Sequence, residues 1–232
     1  MPADSVAVNW RSCADAAALA HMATDHVASL ARANIAERGR FQVALAGGNT
    51  PRRLYERLRD LDTDWSAWHI YFGDERCVPA GDERRNDVMA RAAWLDHVAI
   101  GKIHPMPAER GPASAAQDYA RLLASNDKLD LCVLGMGEDG HTASLFPGHD
   151  LGAAGDAPPV LAVLDAPKPP PERVTLSLRT LNASRHLLVL IDGQGKRNAV
   201  ARWRAGADLP VSRLAPRVSL TVMVTRAAMP GE

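Results

Sequence analysis

Residues Leu129 to His149 read LDLCVLGMGEDGHTASLFPGH, a short apolar run that ends abruptly in glycines. The apolar part, Leu129 to Leu134, has the length and the Leu/Val content of a buried strand, and Gly135-Met136-Gly137-Glu138-Asp139-Gly140 then forms a turn. That turn matches G-x-G-x-x-G, the spelling of a dinucleotide-binding loop, which requires a helix of several turns with its N-terminus facing a pyrophosphate. Pro147 lies seven residues beyond Gly140 and would cut such a helix short. Asp139 would also set a carboxylate against the pyrophosphate, and no acidic residue about 20 positions on closes a clear following strand to hold a ribose. These glycines are better read as serving a different chemistry.

The order strand, glycine or acidic turn, helix occurs elsewhere in the chain. Phe41 to Ala46 is a short apolar strand running into Gly47-Gly48-Asn49-Thr50-Pro51, and Leu54, Tyr55 and Leu58 mark the helix that follows, with Pro51 in its first turn. His69 to Phe72 is a strand ending in Gly73-Asp74-Glu75-Arg76, and further strands are expected at Arg173 to Leu178, His186 to Ile191 and Val218 to Val224. Helices are expected at Ala113 to Ala124 and Gln194 to Ala205. Another follows a capping box of Ser12 and Asp15 and continues at helical spacing to Gly39. Alternating helices and short apolar strands imply an α/β fold, a mainly parallel sheet with helices on both faces. GHDLGAAGDAPP and APKPPPE read as loops within it, so residues 1–232 are expected to form one domain. In open α/β sheets a ligand sits beyond the carboxyl ends of the strands, where these turns lie.

Lys plus Arg equals Asp plus Glu at 27 each, so no overall basic field draws the chain to nucleic acid or to an anionic membrane. Cys13, Cys77 and Cys132 are far apart and form no C-x-x-C pair, which argues against a disulfide framework and fits a reducing cytoplasm. The first residues lack the basic and apolar regions of a leader, and no apolar run approaches the roughly 20 residues that span a bilayer. Arg52, Arg53, Arg57 and Arg59, and likewise Arg84 and Arg85, read as solvated surface charge. Trp65, Trp68 and Trp94 read as packing residues, because no basic sheet motif accompanies them.

Chemistry then falls to the turns. His141 offers a group that exchanges protons near neutral pH, and Asp139 two residues earlier could orient the imidazole. The same two residues read equally well as a surface histidine and the cap of a short helix. Gly48, Asn49 and Thr50 stand between a strand and a helix N-terminus, where backbone N–H groups and the Thr50 hydroxyl suit a phosphate. Arg76, Arg173 and Lys196 lie at or near the other turns. Each alone reads as surface charge, and their joint placement points to an anion. His141, His149, Asp139 and Asp150 cluster in sequence without any recognised zinc spacing, and Ser144 has no nucleophile elbow.

Read in order, GGNTP, FGDER, LGMGEDGHTASLFPG, ERVTLSL and GQGK resemble the 6-phosphogluconolactonase family, from about the first strand through Lys196. The resemblance implies a Rossmann-like fold shared with glucosamine-6-phosphate deaminases. It also implies hydrolysis of a sugar-phosphate lactone, 6-phospho-D-glucono-1,5-lactone, in the pentose phosphate pathway, with no metal or other cofactor. It makes His141 the base and Asp139 its partner, and sets Arg76, Lys196 and Arg173 toward the phosphate. Asn49 departs from the serine often found at its place. Gly135 and Gly137 are candidates to stabilise an oxyanion with backbone N–H groups. A deaminase would carry an acid soon after the histidine, where this chain has Ser144-Leu145-Phe146-Pro147-Gly148, and would have an Asp-Glu-Tyr type turn in place of DER. A noncatalytic sugar-phosphate sensor would bring a DNA-binding unit, and no basic helix-turn-helix fits before Phe41. The expectation is a monomer, with a weak dimer as the alternative, and a Pro-rich loop around Lys168 able to close over the ligand.

Overall fold

A computed structural model of the protein describes residues 6–124 and 128–231. The reading of the first residues as lacking a leader rests partly on residues 1–5, which lie outside the described ones. In chain order the elements are β1 (Val8–Cys13), α1 (Ala16–Arg38), β2 (Phe41–Leu45), α2 (Asn49–Leu58), β3 (Trp68–Phe72) and β4 (Asp74–Arg76). There follow α3 (Asn86–Ala93), β5 (Lys102–Ile103), α4 (Pro112–Ala124), β6 (Leu131–Gly135), β7 (Val160–Val163) and β8 (Arg173–Leu176). The last are α5 (Leu178–Ala183), β9 (His186–Ile191), α6 (Arg197–Arg204) and β10 (Ser219–Thr225).

Seven strands form one sheet in the order β1-β10-β9-β6-β2-β3-β5, and every adjacent pair in it is parallel. Its central strands are largely apolar, apart from Gln42 in β2 and His186 at the start of β9, and almost wholly buried, as a parallel sheet covered by helices requires. Going outward from β2 the chain moves to β3 and β5, then returns to β6 beside β2 and moves the other way to β9 and β10. The direction of winding therefore reverses between β2 and β6, and the carboxyl ends of these two strands carry the glycine turns. A crevice opens at such a reversal because the two connections leave to opposite sides.

The expected strand at Arg173 to Leu178 is shorter and lies outside this sheet, pairing antiparallel in a second one of order β4-β8-β7. Gly73 joins the two sheets: its N–H donates to Leu45 O at 2.8 Å while its carbonyl accepts from Leu176 N at 2.8 Å. The chain thus turns out of β3 directly into β4, which aims Asp74 and Arg76 at the crevice.

Local signals explain most boundaries. The cap of α1 is Asp15, whose Oδ1 accepts from Ala18 N at 2.9 Å, while Ser12 belongs to β1. Gly39, at φ 69°, ends the helix with its N–H on Ile35 O at 2.8 Å. The expected helix from Gln194 begins as a 3-10 turn to Lys196 and becomes α-helical only at Arg197. After Gly140 there is no helix at all, only tight turns to Asp150, so Asp139 caps nothing there.

Trp65, Trp68 and Trp94 pack with Phe41 and Tyr55, with Trp68 edge-on to Phe41 and to Trp94 at centroid separations of 4.9 and 5.6 Å. Such pairs contribute roughly 0.5–1.5 kcal/mol beyond burial. Arg85 overturns its surface reading. Its guanidinium is buried, donating to Asp87 at 2.8 Å, to Glu109 at 2.8 Å and to Met106 O at 2.9 Å. Among the described residues no helix is long and apolar enough to cross a membrane.

Candidate active site

At the β2/β6 reversal lies a cavity of about 340 Å³. Its wall includes Gly47 and Gly48 after β2, Asp74 and Arg76 of β4, Gly135 to Gly137 after β6, and His141. Lys168, Arg173 and Lys196 complete the basic part of the lining.

Gly137 sets the position of the histidine. Its N–H donates to His141 O at 2.8 Å, closing a tight loop, and a Cβ at Gly137 would overlap both His141 Nδ1 and Asp139 Oδ1. Only glycine lets the imidazole fold back this far. That same hydrogen bond occupies the Gly137 N–H, which removes it from the expected oxyanion donors. Gly135 stays on the cavity wall, its carbonyl accepting from Thr142 Oγ1 at 2.9 Å. Gly140, at φ 88°, makes the reversal between Asp139 and His141.

Asp139 Oδ1 stands 2.5 Å from His141 Nδ1 and also accepts from His141 N at 3.2 Å. Burial pushes the imidazole below its ordinary value, and Asp139, which pulls the other way, does not overcome it. For Asp139 burial acts upward, but the charge and hydrogen bonds of His141 outweigh it and hold the carboxyl below its usual range. At neutral pH the pair is therefore a neutral imidazole and a carboxylate. A carboxylate only accepts, so Nδ1 carries the proton and Nε2 is left with its lone pair. The Phe146 ring packs on His141 at 4.7 Å between centroids, and the Arg173 guanidinium lies 5.7 Å from the same ring.

The basic residues have distinct settings. Arg76 Nη1 donates to Arg84 O, while its Nε is buried and has no hydrogen-bond partner among the described residues. Burial pushes the Lys196 ammonium down, Glu138 pulls it up, and Lys168 adds to the depression. Arg173 is buried, and its Nε and Nη2 donate to the carbonyls of Lys168, Pro169 and Pro170. Asn49 and Thr50 occupy the first turn of α2 but do not line the cavity, which meets that turn through Gly47 and Gly48 alone.

The structure adds three residues that sequence reasoning missed as site residues. Asp74 Oδ2 accepts from Ser144 Oγ at 2.6 Å, tying the histidine loop to β4. Asn86 Nδ2 donates to Asp74 O at 2.8 Å, and a Cβ on Gly47 would overlap the Asn86 carboxamide, so Asn86 fills the gap between two turns. Lys168 stood in a Pro-rich stretch read only as a loop that could close. Beneath them Glu75, fully buried, accepts from the backbone N–H groups of Arg76, Asn86 and Asp87 at 2.8, 2.7 and 2.9 Å. This clamp fixes β4 to the start of α3. The sequence cluster with His149 does not converge, since His149 lies 3.6 Å from Asp165 while Asp139 serves His141.

Residues 14–223 match the family model for glucosamine-6-phosphate isomerases/6-phosphogluconolactonase. The 6-phosphogluconolactonase of Mycobacterium leprae is 37% identical over 212 residues, covering 83% of this chain and 84% of that one. That of Synechocystis is 40% identical over 177 residues, 72% of each chain. Among solved structures, the 6-phosphogluconolactonase of Thermotoga maritima superposes with a TM-score of 0.87 at 27% identity, over 95% of this chain and all of that one. That of Trypanosoma brucei does so with 0.87 at 26%, over 97% and 98%. A monomeric glucosamine-6-phosphate deaminase has the same fold, with a TM-score of 0.82 at 20% identity, over 95% and 98%.

Proposed function

The chain belongs to the glucosamine-6-phosphate isomerase/6-phosphogluconolactonase family, and from that premise we propose that it hydrolyses 6-phospho-D-glucono-1,5-lactone to 6-phospho-D-gluconate in the oxidative pentose phosphate pathway, with His141 as the general base. The observation that carries the role of His141 is its pairing with Asp139 on the wall of a cavity lined with cations.

The lactone carbonyl is already electrophilic, so the protein's task is to deprotonate water as it attacks. Nε2 of neutral His141 takes that proton while the water oxygen bonds to C1, a contribution of about 10²–10⁴-fold. Asp139 stabilises the imidazolium that forms. The C1 to ring-oxygen bond then breaks and the departing oxygen takes the proton from Nε2, leaving an open-chain acid that ionises to the product. Arg76, Arg173, Lys196 and the backbone at Gly47 and Gly48 hold the phosphate end and keep C1 in register with the base. The buried Arg76 Nε, lacking a protein acceptor among the described residues, supports an anion on its side of the cavity.

The test is a coupled assay that generates the lactone enzymatically and follows its disappearance above spontaneous hydrolysis. The expected result is rapid turnover by the wild type and loss of about 10²-fold or more in His141→Ala. Full activity in His141→Ala would remove His141 from its role. Release of ammonia from glucosamine 6-phosphate, with no lactone turnover, would replace the reaction itself.

A further inference from the structure

His141 rides on a turn that no helix follows, so no helical ladder ties its backbone down. Within the turn Gly137 N donates to His141 O at 2.8 Å and Gly140 N to Gly137 O at 3.1 Å. These two bonds give the turn its shape without fixing it against the rest of the molecule. Beyond the histidine the chain is tied to the strand ends, by Thr142 Oγ1 on Gly135 O at 2.9 Å and Ser144 Oγ on Asp74 Oδ2 at 2.6 Å. Before the histidine, at Gly140, the hold comes from a distant part of the sequence.

The connection from α6 to β10 passes behind the turn, on the side away from the cavity. Val211 N donates to Gly140 O at 3.1 Å. Leu209 is 1% exposed and forms no part of the cavity wall, and its side chain lies directly against Gly140. A Cβ on Gly140 would come within 2.9 Å of Leu209 Cδ1 and 3.1 Å of Leu209 Cβ. Glycine is therefore required twice at this position, for its φ of 88° and for the leucine behind it.

The segment that carries Leu209 is itself stiffened. Ser212 Oγ accepts from Leu209 N at 2.9 Å and donates to Leu209 O at 2.8 Å. Arg213 grips both carboxylate oxygens of Asp208, at 2.6 and 2.5 Å, and Asn182 of α5 donates to Arg213 O at 3.1 Å and accepts from Ala215 N at 2.8 Å. Exposed ion pairs contribute little to global stability, so the effect of this bonding is local order. Building on the lactonase reading, we propose that the Asp208–Arg213 segment is a brace for the catalytic turn, in which Leu209 is a positioning residue that holds Gly140, and through it His141, in register with C1 of the lactone. Truncating Leu209 opens a void into which Gly140 can retreat, drawing the imidazole away from the attacking water and loosening its bond to Asp139.

The test uses the full chain in wild-type, Leu209→Ala, Leu209→Met, Ser212→Ala and Ser212→Thr forms. Leu19→Ala, in the core under α1, serves as a control of comparable burial. Steady-state kinetics on the lactone are run beside titration with 6-phosphogluconate. Leu209→Ala is expected to lower kcat by about 10–30-fold, since a misplacement of about 1 Å can cost 10²-fold, with KM and product affinity within twofold. Leu209→Met restores most of kcat, Ser212→Ala shows a smaller loss of the same kind, and Ser212→Thr recovers it. Leu19→Ala loses stability to urea but keeps its kcat. A second readout is independent of turnover. The Nδ1 proton of His141, identified in proton NMR by its disappearance in His141→Ala, should exchange with water about 10-fold faster in Leu209→Ala and at the wild-type rate in Leu19→Ala. A kcat within twofold of wild type in Leu209→Ala overturns the proposal, as does an equal loss in Leu19→Ala or an unchanged rate of proton exchange. If Leu209→Ala does not fold, Leu209→Val and Ser212→Ala decide the matter by the same two readouts. Wild-type protein that turns over no lactone sinks the lactonase reading, and the proton exchange rates then decide the brace by themselves.

Discussion

Replacing Asp139 with Asn tests the catalytic pair most directly, because it removes one charge and almost no volume. In the native pair Asp139 Oδ1 lies 2.5 Å from His141 Nδ1, with the histidine side chain 18% and the aspartate 34% exposed, so solvent screens the contact only in part. The carboxylate accepts from Nδ1 and so keeps the Nε2 lone pair available. An Asn carboxamide can turn its NH₂ toward Nδ1, which moves the proton to Nε2 and disables the base. It also leaves the imidazolium of the transition state without its counter-charge. Together these remove most of the general-base contribution, about 10²–10⁴ in kcat/KM, or roughly 3–5 kcal/mol. The pH profile carries a second, signed expectation. Activity rises with pH as His141 loses its proton. Asp139 raises the imidazole pKa against burial, so its neutralisation moves the acid limb of kcat/KM to lower pH. Product affinity, measured by titration with 6-phosphogluconate, stays within a few-fold because Asp139 does not line the cavity. A variant with kcat/KM within threefold of wild type, or an acid limb that moves up, would refute the pairing.

Gly137→Ala should displace the imidazole, since its Cβ would overlap His141 Nδ1. A fall of about 100-fold in kcat/KM with unchanged 6-phosphogluconate affinity is expected, and near-normal turnover would contradict the geometry. Arg85→Met leaves Glu75, Asp87 and Glu109 without their shared cation. Urea denaturation should show a loss of about 3–5 kcal/mol, and a loss below 1 kcal/mol would mean that the carboxylates manage without it. His26 is depressed to about 4, mainly by burial, with Arg11 and His186 adding to it. Its folded pKa is below its unfolded one, so between pH 6.5 and about 4 the unfolded state binds the extra proton and stability falls as pH falls. His26→Gln should flatten the urea midpoint across that window, and an unchanged slope would assign the effect to other groups.

Motifs that act locally were readable from sequence. An aspartate two residues before a histidine and a glycine turn opening a helix both express backbone geometry within a few residues, whereas the need for glycine beneath the imidazole at Gly137 shows only in the fold. Arg76 and Lys196 were legible for the same reason. Arg85 was not. Its partners Glu75 and Glu109 stand 10 and 24 positions away, so a charge that reads as solvated becomes the centre of a buried network only when β4, α3 and the segment before α4 come together. Asn49 and Thr50 stand beside the cavity rather than on its wall. A helix N-terminus turns only part of its first residues toward a neighbouring crevice, and here the crevice meets Gly47 and Gly48.

The sequence by itself determined the class of fold and singled out the turn that carries Asp139 and His141, because apolar periodicity dictates which segments bury and the glycines mark where the chain turns at a strand end. The tertiary structure alone decided that Arg76, Lys168, Arg173 and Lys196 meet at one cavity. Arg173, on β8 in the second sheet, donates to the carbonyls of Lys168, Pro169 and Pro170 and also lines the cavity. The distinction between a residue that touches a ligand and one that positions another depends on where its donors end. That is settled by contacts between segments, and no spacing along the chain encodes it.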